Sequence, residues 1–355
     1  MTDSKTSETP RSIATWVRAD RSRPYCARPW QQVAVLSDGT AVCACIDDAK
    51  TNPLGNLATM PFEQVWNGPG YRALRQAIAE DIDQTPICRG CPNRIATPPT
   101  AARFDGIPKP RSLFVESYAG CNLVCPGCDR VNIEGSREGL SMKWETYVKI
   151  VDELAPGLRY MEFHVGGENW MHRRAADMVR YCREKNPGCF ILSSTNGHFF
   201  HTDERARDAI ESGTDCLIFS IDGARQESYE KYRVNGRIER AFDGMARVLR
   251  LRNELGRERP IVVWRYILFP WNDTDEEMDL ARRLASEMQV DHLCWHLNAA
   301  QTEFSSKRYY VGSPRLVEIE HELWDTLQSR EGAKLDLGFD RYVADALEGP
   351  GAGAR

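Results

Sequence analysis

From Ser112 to Asn298 the apolar residues follow two alternating patterns. Short runs fall at Leu113–Ser117, Tyr160–Val165, Phe190–Ser194, Cys216–Ile221, Ile261–Leu268 and His292–Leu297, and they read as strands. Between them, apolar positions spaced three or four apart mark amphipathic helices at Trp144–Leu154, Trp170–Lys185, Glu204–Glu211, Ile238–Leu255 and Asp275–Met288. Strict alternation predicts an α/β fold whose strands run parallel with right-handed crossovers. Six strands are too few to close an eight-stranded barrel. The expectation is therefore a partial (β/α)6 barrel over 112–298, with its chemistry at the C-terminal strand ends.

The text before Ser112 is shorter-ranged. Gln32–Leu36 and Thr40–Ile46 read as a hairpin around Ser37-Asp38-Gly39, and Phe62–Ala79 carries helical spacing at Val65, Trp66, Leu74 and Ile78. Pro-rich stretches at 96–101 and 106–110 read as a linker. The expected order is a disordered polar leader over 1–24, a small Cys-rich α+β module over 25–95, a linker over 96–111 and the barrel. A C-terminal extension over 299–355, with a helix and a flexible tail, completes it.

Charge and length narrow the class. The 355 residues carry 46 basic and 51 acidic side chains, a net charge of −5, which gives no electrostatic case for nucleic acid. No apolar run approaches the roughly 18 residues of a membrane helix, and the polar start lacks a secretory apolar segment, so a cytoplasmic protein is expected. Twelve cysteines then stand out, eight of them between Cys26 and Cys128. In a reducing compartment such clustering favours metal ligation over disulfides.

Cys121-Asn-Leu-Val-Cys125-Pro-Gly-Cys128 is a C-x3-C-x2-C run leaving the first barrel strand. Three thiolates hold a [4Fe–4S] cluster and leave its fourth iron without a protein ligand, whereas a structural zinc site usually takes four. The segment resembles the signature of radical SAM enzymes, over roughly residues 112–298. Gly166-Gly167-Glu168 is similar to the family's GGE motif near the methionyl amino group. Ser194-Thr195-Asn196-Gly197 and Ser220-Ile221-Asp222-Gly223 end the third and fourth strands as in this family, and Tyr232-Arg233 resembles the arginine that pairs with the methionyl carboxylate. The resemblance implies SAM binding by Gly166, Gly167, Glu168, Thr195, Asn196, Ser220, Asp222 and Arg233. It also implies reductive cleavage of SAM to a 5′-deoxyadenosyl radical that abstracts hydrogen from a substrate. Gly127 stands where many members carry an aromatic residue near the adenine.

The N-terminal run resembles a SPASM/Twitch domain, which carries auxiliary [4Fe–4S] clusters and normally follows the barrel; here it precedes it. The carrying segments are Cys26-Ala-Arg-Pro-Trp30, Asp38–Cys45, Leu54–Leu57, Val65-Trp66-Asn67, Tyr71–Arg75 and Cys88-Arg-Gly-Cys91. The resemblance implies Cys26, Cys88 and Cys91 as ligands, with Cys43 or Cys45 as the fourth. No cysteine follows soon after Cys91, so a single second, auxiliary [4Fe–4S] cluster is expected, a four-cysteine zinc site being the alternative.

Cys182, Cys189 and Cys216 read as small buried hydrophobes. Cys294 shares a strand face with His292, His296 and Asn298, where a thiol could return a hydrogen atom to a substrate radical; core packing is the other reading. His164 shares a face with Glu162. Glu116 and Arg265 are candidate substrate contacts or structural ion pairs. A single auxiliary cluster resembles the arrangement in aminocyclitol- and sugar-modifying members. The expected activity is dehydrogenation or epimerisation of a small sugar, polyol or aminocyclitol in natural product biosynthesis. The partners would be that substrate and a flavodoxin- or ferredoxin-type reductant, with no nucleic acid and no membrane. Residues 1–24 are too short for a leader-binding domain, which lowers the alternative, modification of a ribosomally made peptide. A non-catalytic iron–sulfur or zinc protein is a further alternative.

Overall fold

The computed structural model describes residues 26, 28–43, 47, 49–89, 106–128, 130–298 and 303–323. Cys45, Cys91, the leader, most of the linker and the tail beyond 323 lie outside these residues.

One nine-stranded sheet runs through the molecule. Three short N-terminal strands are β1 (Gln32–Val35), β2 (Thr40–Val42) and β3 (Gly55–Asn56). Six parallel strands follow: β4 (Ser112–Val115), β5 (Tyr160–Glu162), β6 (Phe190–Thr195), β7 (Cys216–Ser220), β8 (Ile261–Leu268) and β9 (His292–Leu297). The helices between them include α3 (Arg130–Ser136), α4 (Trp144–Leu154), α5 (Ala175–Lys185), α6 (Asp203–Glu211), α7 (Gln226–Tyr229), α8 (Ile238–Glu254) and α9 (Asp275–Glu287). The expected open α/β arrangement is present, with strand and helix bounds mostly within a few residues.

The N-terminal module is not set apart from the barrel. β1 pairs with β2 in the expected hairpin and also lies parallel to β4, Gln32 opposite Ser112 through Val35 opposite Val115. Ala34, Leu36 and Val42 join Phe114, Tyr160, Phe190, Leu192, Cys216, Ile218, Val263 and Cys294 in an apolar cluster inside the sheet's curve. The larger core lies outside it, between strands and helices. Strands buried on both faces explain why their sequences read as continuous apolar runs.

Two helix boundaries depart from expectation. Phe62–Ala79 is not continuous: α1 (Phe62–Trp66) ends before Gly68, and α2 (Pro69–Asp81) begins with Pro69 in its first turn. A proline there needs no helical N–H and favours a fresh start over continuation. The helix expected from Trp170 begins at Ala175, because Asn169–Met171 forms a separate short 3-10 turn. Thr274 caps α9 by accepting the Glu277 N–H at 3.3 Å. After β9, Pro314–Glu322 forms a 3-10 helix, and Leu323 bridges to Trp295 on the outer edge of β9.

Contacts lock the module down. Phe62 N–H donates to Glu153 at 2.9 Å, Trp66 Nε1 to Pro108 O at 2.9 Å, and Lys149 Nζ to Leu57 O at 2.8 Å. Buried Arg75 donates to Pro29 O and Trp66 O and lies over the Trp66 and Tyr71 rings at 4.5 and 5.0 Å.

Candidate active site

The three-cysteine loop leaves β4 and crosses the open end of the barrel. Its fold is set by contacts to three other strand ends. Glu168 N–H donates to Gly120 O at 2.8 Å, and Val124 N–H donates to Val234 O at 3.0 Å. Asn196 Nδ2 donates to Asn122 Oδ1 at 2.9 Å and reaches Cys121 Sγ at 3.6 Å. Arg233 reaches Cys125 Sγ at 3.7 Å. Cys121 and Cys125 are half-buried and Cys128 is exposed. Burial and then Glu168 push the Cys121 thiol up to about 11; burial raises Cys125, while the Arg233 guanidinium opposes the rise. A thiolate here requires nearby positive charge, which bound iron would supply.

Gly167 lies at φ +68, and a Cβ there would come within 2.2 Å of Tyr118 O. Only glycine permits the GGE turn to approach the cysteine loop this closely. That turn presents Glu168, whose Oε2 accepts the Asn196 N–H at 2.7 Å while its buried Oε1 lacks a hydrogen-bond partner. Burial pushes its carboxyl up to about 7 against that amide contact. An unpartnered carboxylate oxygen near Cys121 fits an ammonium group.

The other expected SAM-site residues are placed together, with differing commitments. Asp222 is fully buried: Oδ2 takes Arg233 Nε at 2.6 Å and Oδ1 takes the Ile267 N–H at 2.7 Å, so it positions Arg233. Burial acts to lower the Arg233 pKa, but Asp222 and then Cys125 raise it overall. Thr195 Oγ1 accepts Gly197 N–H at 3.0 Å and shapes the strand end. Ser220 exchanges a hydrogen bond with Ser194 at 3.1 Å and accepts from Arg265 at 2.9 Å. Gly166 N–H donates to Glu116, which also takes Arg137 through both oxygens at 2.6 and 2.8 Å and the Ser37 N–H at 3.0 Å. Of the two readings of Glu116, the structural ion pair is the one observed.

Sequence reasoning missed three groups here. Tyr232 packs its hydroxyl against Gly127, where a Cβ would meet it at 2.9 Å, and its ring lies 4.4 Å from Phe269. The aromatic surface absent from position 127 thus arrives from another loop, and the Tyr232-Arg233 pair itself was the available signal. Tyr229 is buried with its hydroxyl unpartnered near Cys121 and Cys125. Arg137 left no sequence signal, since one arginine after a helix is unremarkable.

Below the strand ends the inward positions stay polar for one more layer. His164 Nε2 lies 3.1 Å from Glu162 Oε1, and Tyr160 donates to the other oxygen at 3.2 Å. Arg265 donates to Ser194 at 3.2 Å and to Ser220. His296 faces in from β9. Cys294, two residues lower and opposite Arg265 in register, is fully buried in the apolar floor, donating to Trp264 O at 3.7 Å. Cys182, Cys189 and Cys216 are buried as expected.

In the N-terminal module Cys26, Cys43 and Cys88 are buried in one core cluster, and Cys43 helps raise the Tyr71 pKa after burial. Among the described residues no three His, Cys, Asp or Glu side chains converge as a site for one metal ion. In a cluster each thiolate binds a different iron, so its ligands stand wider than those of a single ion. Cys121, Cys125 and Cys128 on one loop are the all-thiol type of donor set that iron–sulfur clusters take.

A model of the radical SAM superfamily matches residues 115–284, and a model of the SPASM iron–sulfur cluster-binding domain matches residues 26–92. The chain thus carries a radical SAM domain preceded by a SPASM domain. The radical SAM domain implies a [4Fe–4S] cluster and SAM, and the SPASM domain at the N-terminal end implies additional iron–sulfur binding. A curated relative from Pyrococcus furiosus, a tungsten-containing aldehyde ferredoxin oxidoreductase cofactor-modifying protein, is 36% identical over 112 residues. That match spans 31% of this chain and only 30% of the relative. Among solved structures, Streptococcus suis SuiB bound to S-adenosylmethionine shares 13% identity at TM-score 0.44, over 68% of this chain and 48% of that one. BtrN in complex with AdoMet and 2-DOIA shares 24% identity at TM-score 0.28, over 31% of this chain and 45% of that one. No helix among the described residues is long and apolar enough to cross a membrane.

Proposed function

We propose that this radical SAM enzyme abstracts hydrogen from a small sugar, polyol or aminocyclitol, with dehydrogenation or epimerisation as the outcome. The observation that carries the reading is the polar layer of Glu162, His164, Ser194, Ser220, Arg265 and His296, on or just past five strands, between the strand-end motifs and the apolar floor. Hydroxyl-rich molecules match such a layer because each hydroxyl both donates and accepts. The relative's description as cofactor-modifying adds support for a small-molecule substrate.

In this reading Cys121, Cys125 and Cys128 would hold the cluster that binds SAM, and Cys26, Cys43 or Cys45, Cys88 and Cys91 would hold the auxiliary one. When bound, cluster and SAM together would supply a 5′-deoxyadenosyl radical. The chain's own part is positioning and exclusion. Glu168 Oε1 would accept a hydrogen bond from the methionyl ammonium, and Arg233, oriented by Asp222, would pair with the carboxylate. Asn196 ties Glu168 to the cysteine loop. Gly166 and Gly167 allow the turn to approach, while Thr195 and Ser220 shape the strand ends. The apolar floor beneath excludes water.

Cys294 separates the two outcomes. Anaerobic reconstituted protein with SAM, reductant and a panel of sugars and aminocyclitols in deuterated water is followed by mass spectrometry. Loss of two hydrogens marks dehydrogenation, and Cys294→Ala should then be nearly silent. Gain of one deuterium marks epimerisation, which Cys294→Ala should abolish while 5′-deoxyadenosine still forms. A zinc-loaded protein that ignores SAM would sink the enzymatic reading; product from a peptide and none from the panel would sink the substrate class.

A further inference from the structure

Among the described residues Arg265 is a cation without a counter-ion. Its guanidinium donates to the Ser194 and Ser220 hydroxyls, its Nε is buried without a partner, and no carboxylate lies within ion-pair distance of it among the described residues. On the neighbouring strand β9, His296 Nδ1 is buried without a partner among the described residues, and so is Nδ1 of His164, two residues past the end of β5. Burial and then Arg265 hold both imidazoles neutral, down to about 3. A buried unpaired charge is costly unless a ligand compensates it.

We propose that Arg265, His164 and His296 form an anion-binding site inside the barrel, which anchors the substrate through a carboxylate or phosphate group. The inference rests on the reading of a small polar substrate within the barrel and adds charge to it. The negative groups facing Arg265 do not fill the role. Asp222 is held by Arg233 and the Ile267 amide, and the Cys294 thiol is turned to Trp264 O. Glu162 is bonded to Tyr160 and His164, and burial raises it to about 7 despite Arg28 and Arg265. A protonated Glu162 donates to His164 Nε2 and leaves Nδ1 carrying the hydrogen, ready to donate to an anion. The Ser194 and Ser220 hydroxyls fix the guanidinium plane, so a planar or tetrahedral oxyanion meets a preoriented fork.

The test is isothermal titration of anaerobic, reconstituted, SAM-bound protein with three probes: D-glucose, D-gluconate and glucose 6-phosphate. At least one anionic probe should bind about tenfold or more tighter than glucose, gluconate reporting a carboxylate source and glucose 6-phosphate a phosphate source. Arg265→Gln should abolish that preference, Arg265→Lys should keep part of it, and iron content and SAM affinity should stay unchanged. His296→Asn, a milder substitution, should weaken the preferred anion severalfold. Equal affinity for all three probes, binding of none of them, or an unchanged preference in Arg265→Gln overturns the proposal. A loss of SAM affinity in Arg265→Gln also overturns it, by assigning the cation to the cofactor. Transfer of deuterium from labelled probes into 5′-deoxyadenosine is scored separately. Its failure with anion preference intact strikes the sugar reading and leaves the anion site standing.

Discussion

At the upper end of the barrel Asp222 grips Arg233 at 2.6 Å and Glu116 grips Arg137 through both oxygens, whereas one layer below Arg265 hydrogen-bonds, among the described residues, only to two serine hydroxyls. The upper pairs are closed circuits whose rupture would strand a buried charge, so they hold loops in place. The lower layer retains buried donors and acceptors with nothing to satisfy them. Paired groups keep a shape; unpaired groups keep a capacity to bind. The same few residue types serve both ends, and only their partners tell the two uses apart.

Four substitutions break or sharpen that contrast. The largest effect is expected for Cys125→Ala, which should lose SAM-site iron and sulfide and all 5′-deoxyadenosine formation, as read by metal analysis and chromatography. Retention of both would remove the loop from the cofactor site. Next comes Glu116→Ala, which strips Arg137, Ser37 N–H and Gly166 N–H of their acceptor at once. A loss of about 3–5 kcal/mol in denaturant unfolding is expected; a loss below about 1 kcal/mol would show that the pair holds little.

Glu168→Gln should weaken SAM binding about tenfold. Because burial raises the Glu168 carboxyl to about 7, it is neutral below that value and cannot pair with an ammonium. Wild-type SAM affinity should therefore fall as pH drops through 7, with the variant flat in the same titration. The smallest effect concerns His164, neutral in the fold down to about 3 by burial and then Arg265. The unfolded chain takes up a proton below its ordinary 6.5, so stability is lost as pH falls from there toward 3. Relative to His164→Asn, the wild type should lose up to about 1.4 kcal/mol per pH unit in that window. Parallel pH profiles in thermal denaturation would show instead a histidine that protonates freely.

The barrel was legible because its signals are local. Alternating runs placed β8 and β9 at their observed bounds, and the α4 limits followed from helical spacing alone. The C-x3-C-x2-C run and the strand-end motifs announced the rim. What stayed hidden depends on pairing between distant segments. Nothing in Gln32–Val35 says that it will lie parallel to β4, since register with a remote strand leaves no mark in either sequence. Glu116 and Arg265 looked equivalent as lone polar residues on strands; Arg137 makes the first structural, and the lack of any such partner sets the second apart. Asp222, grouped with SAM contacts by its motif, turned out to hold Arg233.

The parallel seam between β1 and β4 also bears on chain surgery. An open barrel leaves its first strand with a free hydrogen-bonding edge, a template for joining another molecule's strand. Here that edge is taken up by residues from the SPASM domain, and the sheet finishes on the two-residue β3, too short to recruit a neighbour. At the far side Leu323 meets Trp295 on the last barrel strand. The iron–sulfur module therefore doubles as a hem. A chain trimmed to begin near Ser112 would expose a four-residue apolar edge and should self-associate, so the catalytic barrel cannot be handled as an independent piece.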